Sequence, residues 1–493
     1  MDLEPYDILL RKGTLIDGSG RPAFKADVAI RGDRIAATGD LNDAVARKEI
    51  DVSNLVVAPG FIDVHTHDDA ALIVRPEMTP KLTQGVTTVI AGNCGISGAP
   101  YLRPGEPSDL LHLIFKSKEF VAPTFESFLI KVENAAPAVN AAFLTGHITL
   151  RMQAMGTDLQ RTATRDEIAF MRDLLAESLA QGALGLSTGL FYPPARAAST
   201  DEVIGVARPL ADCRGLYVTH MRDEADGIME SIEETLKIGR EVGVEVIISH
   251  HKCMGERNFG RSNETLARLE RARRSQPVAW DVYPYTAGSS ALLADLVAQS
   301  SRTLLTWSDP HPELAGYELN AVAARLGCTL ADAITQLQPA GAIYFMMDEA
   351  DVVRILSSTS AMIGSDGLPE DFSPHPRLWG TFPRVFKRYV RERKVLSLEN
   401  AVYRMTGLSA ERFGLRERGR VAVGFCADLT VFDPNGVADA ATYEEPTRPA
   451  YGIRYVFING RMALDDGVPT DTRAGRVLRR AAMKDCPAVA TLP

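Results

Sequence analysis

Short apolar runs broken by Gly, Asp and Ser dominate residues 7–57. Asp7-Ile-Leu-Leu-Arg-Lys-Gly, Gly13-Thr-Leu-Ile-Asp-Gly-Ser-Gly and Ala26-Asp-Val-Ala-Ile-Arg-Gly-Asp-Arg-Ile-Ala-Ala-Thr-Gly read as strands bounded by turns, with Arg31-Gly-Asp-Arg34 as a hairpin turn. The C-terminal region has the same character, in Gly419-Arg-Val-Ala-Val-Gly-Phe-Cys-Ala-Asp-Leu-Thr-Val-Phe-Asp-Pro and Tyr455-Val-Phe-Ile-Asn-Gly-Arg-Met-Ala. The N-terminal segment is too small for a large core of its own. The pattern therefore predicts one small β-sandwich built from residues 1–57 and 415–480, followed by a tail at 481–493 that is given no chemistry.

Between these ends the periodicity alternates between strand and helix. Ser199 or Thr200 can cap a helix to about Cys213, Gly215 ends it, and Leu216-Tyr-Val-Thr-His220 follows as a strand. Glu224 to Glu241 reads as a helix with Ile228, Ile232 and Leu236 on one face. Gly243 breaks it before the strand Val244-Glu-Val-Ile-Ile-Ser-His250. A helix from Asn263 to Arg274 then leads to Pro277-Val-Ala-Trp-Asp-Val-Tyr-Pro. Repeated βα units predict a parallel α/β architecture, a TIM-like (β/α)8 barrel over residues 58–414. Residues 287–350 fit the repeat poorly and read as an insertion or lid.

Polar residues capable of chemistry sit where these strands end. The apolar run Phe61 to Val64 leads into His65-Thr-His67, and strand residues two apart share a face, so both imidazoles can aim at one point. Val86-Thr-Thr-Val-Ile-Ala-Gly runs into Asn93-Cys94-Gly95, His220 and His250 each close a strand, and Ala361-Met-Ile-Gly-Ser leads to Asp366. Taken alone, Cys94 reads as a small buried hydrophobe and Asp366 as a turn or cap residue. Together, His65, His67, Cys94, His220, His250 and Asp366 form a candidate ligand set at the face where barrels of this type collect their active sites. Imidazole and thiolate suit zinc. Zinc lowers the pKa of bound water from about 15.7 to about 7. The set thus predicts metal-dependent hydrolysis of a C–N bond, with Asp366 as base and then acid. His112, His311 and His375 end no clear strand; His147 follows an apolar run and stays open as a further ligand.

Composition narrows the setting. The chain has 493 residues, 45% apolar and 24% charged, with a net charge of −9, which argues against nucleic acid or an acidic membrane as partner. No apolar run approaches the ~20 residues that span a bilayer. The acidic start lacks the pattern of a secretory signal. Six scattered cysteines form no disulfide framework. The expectation is a cytoplasmic protein with reduced thiols.

Pro59-Gly-Phe-Ile-Asp-Val-His-Thr-His67, the strands ending at His220 and His250, and Gly364-Ser-Asp366 resemble the amidohydrolase superfamily. Gly92-Asn-Cys-Gly, Gly185-Leu-Ser-Thr-Gly-Leu-Phe-Tyr-Pro-Pro, Tyr217-Val-Thr-His-Met-Arg-Asp-Glu and Ser249-His-His-Lys are similar to its D-aminoacylase (N-acyl-D-amino-acid deacylase) family. The resemblance implies one tightly held zinc on Cys94, His220 and His250. It also implies a second, weaker position on His65, His67 and Asp366, with Cys94 as the bridging ligand in place of a carboxylated lysine. Asp366 is then the proton shuttle, and the substrate a small N-acyl-D-amino acid cleaved to a carboxylate and a free D-amino acid. Such a substrate carries an α-carboxylate, for which Lys252, Tyr283 and Arg377 are candidates, with Tyr192 and Ser289 as hydrogen-bonding neighbours. The stretch Ala291-Leu-Leu-Ala-Asp-Leu-Val offers no arginine, which tilts the expectation towards neutral or apolar side chains. Rival readings are an amidohydrolase for cyclic amides or dipeptides and a non-catalytic scaffold. The chain by itself assigns no oligomeric state.

Overall fold

The computed structural model describes residues 4–101, 110–115 and 122–480. The tail at 481–493 lies outside them. Eight parallel strands form a barrel: Phe61–Asp63, Val86–Ala91, a third strand in two pieces (Asn140–Phe143 and Thr145–Gly146), Gly185–Gly189, Leu216–His220, Glu245–Ile248, Val278–Val282 and Ala361–Ile363. A bridge between Thr66 and Gly367 joins the eighth strand back to the first. Nearly every residue of these strands is buried, as expected where helices cover the outside and side chains fill the inside. The expected α/β barrel is therefore present.

The helix Ile228–Val242 shows how the pattern works and where it misleads. Ile228, Ile232 and Leu236 are fully buried on one face. The helix starts four residues later than the periodicity suggests, because the Asp223 carboxylate accepts the Ala225 N–H at 2.6 Å and the Gly227 N–H at 3.2 Å. A short acidic side chain that bonds nearby backbone competes with helix formation. Glu224 is thereby left in a loop. Upstream, Ser199 caps Thr200–Ala207 as expected, but Pro209, which has no N–H to donate, begins a separate helix, Pro209–Cys213.

The terminal regions join in one nine-stranded sheet. Tyr6–Leu15 is a single bulged strand rather than two runs, pairing Phe24–Arg31 on one side and both Ala46–Asp51 and Val56–Pro59 on the other. Val56–Pro59 pairs Leu429–Phe432, which ties the two ends of the chain together. Leu10, Val28, Ile30, Val57, Leu429, Val431 and Phe457 form the core of this unit. Between the seventh and eighth barrel strands stands a compact insertion. Its strands Ala287–Ala291, Arg302–Ser308 and Ala340–Phe345 form an antiparallel sheet, with a separate apolar cluster around Leu292, Leu305, Leu319 and Val322. Cys94, Cys253, Cys328 and Cys426 carry free thiols. The expectation of reduced thiols throughout fails at Cys213, which is disulfide-bonded. Among the described residues no helix is long and apolar enough to cross a membrane.

Candidate metal centre

The strand ends deliver their polar residues to one mouth of the barrel. Cys94 Sγ lies 3.3 Å from His65 Nε2 and 3.4 Å from His250 Nε2. Asp366 Oδ1 lies 3.5 Å from His65 Nε2 and 3.2 Å from His67 Nε2. The His220 and His250 rings meet edge to face with centroids 4.5 Å apart. All six residues are buried.

Unusual backbone aims three of them. Cys94, His250 and Asp366 have φ of 53°, 35° and 50°, the left-handed region that non-glycine residues rarely adopt. Such conformations persist where the surroundings hold them, often at functional sites. The Cys94 loop also needs Gly92, at φ 79°, since a Cβ there would stand 2.2 Å from the Leu144 carbonyl oxygen. The buried Asp69 carboxylate staples that loop, accepting the Gly92 N–H at 3.2 Å and the Gly98 N–H at 2.9 Å. Burial pushes the Asp69 carboxyl up to about 6.

Charge in the mouth is mutually compensated. Burial would raise the Cys94 thiol, but His65 and His250 outweigh it and hold the thiol well below its ordinary value. Burial likewise opposes ionisation of Asp366, and Arg377 and His65 more than reverse this. Both ring nitrogens of His220 and the Nδ1 of His67 are buried with no hydrogen bond of usable geometry. Orphaned imidazole nitrogens beside a thiolate and a carboxylate are the donor set of a zinc site. The residues fit that ion.

Several residues essential to this geometry escaped the sequence pattern. Glu224 is fully buried, with Oε1 3.2 Å from His250 Nδ1 and Oε2 3.3 Å from His220 Nε2. Asp281 places Oδ2 3.3 Å from His65 Nδ1 and accepts the His250 backbone N–H at 2.9 Å. Lys81, 1% exposed, binds Asp63 at 2.8 Å and Ser365 Oγ at 3.2 Å, linking the first strand to the loop of Asp366.

The five candidates for substrate contact line one narrow pocket beside the centre, together with Phe191, Met254, Leu296, Tyr344 and Met346. Arg377 is 1% exposed; its Nη1 lies 2.9 Å from Asp366 Oδ2, its Nη2 donates to the Ser289 carbonyl at 3.1 Å, and its guanidinium lies 4.7 Å from the Tyr283 ring centroid. Its buried Nε has no hydrogen-bond partner. Lys252 is turned towards Glu224, 2.6 Å from Oε2. The Ser289 hydroxyl donates to the Ala342 carbonyl at 3.2 Å, whereas the Ser290 hydroxyl is the one that meets Tyr192, also at 3.2 Å. His147 stands apart from the six donors, with its Nε2 3.4 Å from Glu202.

The profile of the Amidohydrolase family matches residues 48–463. The chain is 55% identical over 481 residues to a D-aminoacylase of Alcaligenes xylosoxydans xylosoxydans, covering 98% of this chain and 99% of that protein. It superposes with a TM-score of 0.94 and 54% identity on a D-aminoacylase structure bearing a binuclear metal centre, across 97% of this chain and 100% of the other. It also superposes on the N-acyl-D-glutamate deacylase of Bordetella bronchiseptica in complex with zinc and a phosphonate inhibitor. There the TM-score is 0.93 at 45% identity, over 97% of this chain and 100% of the other. With a barrel, a converging set of histidines, cysteine and aspartate, and these whole-length likenesses, the chain belongs to the amidohydrolase family.

Proposed function

We propose that this protein hydrolyses the amide bond of N-acyl-D-amino acids to a carboxylate and a free D-amino acid, using zinc. The observation that carries the reading is the placement of the buried Arg377, whose Nε has no partner, beside Asp366 and the group of His65, Cys94, His250 and Asp366 that could hold a metal. A buried cation with an unsatisfied N–H calls for an anion, and the substrate's α-carboxylate supplies one. Whole-length likeness to a D-aminoacylase supports the same reaction.

Cys94, His220 and His250 would hold the tighter ion, with His65, His67 and Asp366 at the second position. Zinc bound there supplies a Lewis acid and an acidified water. The chain's own residues do the rest. Asp366 Oδ1 faces the histidines while Oδ2 is held by Arg377, so Oδ1 is the atom that takes the proton from the attacking water. The protonated carboxyl then delivers it to the amide nitrogen as the C–N bond breaks. Arg377, through the Nε left without a partner and with its guanidinium over the Tyr283 ring, takes the substrate carboxylate. Lys252, Tyr192 and Ser289 complete the wall around it.

Met254, Leu296 and Met346 give the pocket apolar walls beside Arg377 and Lys252. The cations of this pocket are Arg377 and Lys252, and Lys252 is engaged by Glu224. The preferred side chains are accordingly neutral or apolar. The test is amine release from matched N-acetyl-D- and N-acetyl-L-leucine, methionine, phenylalanine and glutamate with zinc present. Turnover in the D series alone, fastest on the apolar members, is expected. Turnover of neither series by zinc-loaded protein would refute the reading.

A further inference from the structure

The mouth of the barrel opposite the metal centre is rich in arginine. Leu216 opens the strand that His220 closes, and Glu245 opens the strand that leads to His250, so both lie at the far end from the candidate ligands. The helix Gly407–Arg412 and the turn after it cover this far mouth. Leu408, Ala410, Phe413 and Leu415 of that plug share one apolar cluster with Ile62, Leu184 and Leu216 of the barrel. Beside the plug lies an open cavity of about 580 Å³, a size that accommodates a small molecule.

Two of the arginines in its wall are neutralised. Arg412 Nη1 lies 3.0 Å from Glu245 Oε1, and Arg418 is paired with the buried Asp428. Arg214, Arg416, Arg420 and Arg480 also line the cavity, and among the described residues no carboxylate stands at ion-pair distance from them. Of the acids in the wall, Glu245 is taken by Arg412 and Glu417 by Arg34, which leaves Glu411. Arg480 donates to the Leu184 carbonyl at 3.0 Å, which satisfies one N–H but supplies no counter-charge. Burial and the nearby Arg214 charge both push its guanidinium below the ordinary value. Like charges gathered in one cavity repel, and a bound anion turns that cost into attraction.

We propose that this cavity binds a small anion carrying two or more phosphates. The planar guanidinium fork matches phosphate oxygens in pairs, and the unpaired arginines carry more charge than one phosphate would neutralise. The chain as a whole carries −9, so an extended polyanion is repelled while a small one meets only the local cations. Such an occupant ties Arg416 and Arg420 after the plug helix to Arg214 before a barrel strand and to Arg480 near the C-terminal end. Residues at this face of a barrel govern stability rather than chemistry. Binding therefore stabilises the fold and leaves turnover unchanged, and the proposal does not depend on the zinc reading.

The test is calorimetric titration of the zinc-loaded protein with fructose 1,6-bisphosphate, with sodium chloride holding the ionic strength constant. Wild type should bind it saturably, more tightly than inorganic phosphate, and should melt at a higher temperature in its presence. Arg214→Gln/Arg420→Gln should bind at least about 10-fold more weakly, since each lost charged hydrogen bond contributes about 1.5–3 kcal/mol. Arg172→Gln/Arg274→Gln removes the same charge away from the cavity and should bind like wild type. Both double variants should keep wild-type turnover of N-acetyl-D-methionine. If the first double variant fails to fold, Arg416→Gln alone should still weaken binding. No saturable binding at millimolar concentration would overturn the proposal, as would binding that survives the cavity substitutions or falls equally in both double variants. Inorganic phosphate binding as tightly as the bisphosphate would overturn the assigned ligand class.

Discussion

Arg377→Met removes a buried cation that serves two carboxylates, one belonging to the protein and one to the substrate. The arginine is 1% exposed, so solvent screening does little to its interactions. Its Nη1 lies 2.9 Å from Asp366 Oδ2, and its Nε awaits a partner. Truncating one member of a buried, hydrogen-bonded charge pair costs about 2–5 kcal/mol. Taking about 2–4 kcal/mol for the substrate's share, kcat/KM on N-acetyl-D-methionine should fall about 30- to 700-fold, at a factor of ten per 1.4 kcal/mol. A further loss in kcat should follow from releasing Asp366. Comparison with the N-acetyl amine that lacks the carboxylate separates the two effects. Wild type should prefer the acid by the same 30- to 700-fold or so, and Arg377→Met should show almost no preference, because the group that reads the carboxylate is gone. Arg377→Lys retains charge without the fork and should fall between them. An Arg377→Met enzyme that still prefers the acid as strongly as wild type would refute the reasoning.

Two other perturbations have outcomes fixed by the same geometry. Asp366→Asn removes the proton shuttle and should lower kcat by at least about 10²-fold while the zinc on Cys94, His220 and His250 stays bound, as read by metal content after gel filtration; near-normal turnover would remove Asp366 from the chemistry. Away from the centre, Glu202 is buried against Arg151 and His147 and accepts the Ala163 N–H at 2.8 Å. Burial alone would raise its carboxyl, but His147, Ala163 and Arg151 outweigh it and bring the carboxyl down from 4.5 to about 2. A depressed carboxyl stabilises the fold fully above its unfolded value and loses that contribution as the pH falls towards the folded one. Glu202→Gln should therefore cost about 3–5 kcal/mol in urea titrations near neutrality, and the gap to wild type should close as the pH drops from about 4.5 towards 2. A gap that does not change with pH would contradict the assigned ionisation.

What the sequence revealed and what it hid follow from range. Cys94, His220 and Asp366 were legible because an apolar run followed by a lone polar residue is a local pattern, and the barrel converts strand ends into neighbours. The α/β alternation from Ser199 to Pro284 was legible for the same reason. Glu224 was hidden by periodicity, since Ile228, Ile232 and Leu236 extend a helical pattern backwards over it. The signal that stops the helix is Asp223, whose turn to Ala225 and Gly227 could have been suspected from an acid followed by a glycine four positions later. Lys252 stands two residues after His250 and is a candidate for the substrate carboxylate, yet the strand ends at Ile248, His250 is left-handed, and the ammonium turns to Glu224. Lys81 and Asp281 act through partners distant in the chain, Ser365 for the first and His65 for the second, and no local pattern encodes such pairs.

The central claim is that zinc on these donors makes the enzyme, and titrating metal-free protein with zinc while following D-amino acid release from N-acetyl-D-methionine tests it most directly. Activity should be absent at the start and rise in proportion to added zinc until the tight position is filled, at about one ion per chain. Full activity in the metal-free protein, or a zinc-filled protein that stays inert on every N-acyl-D-amino acid offered, would contradict the account.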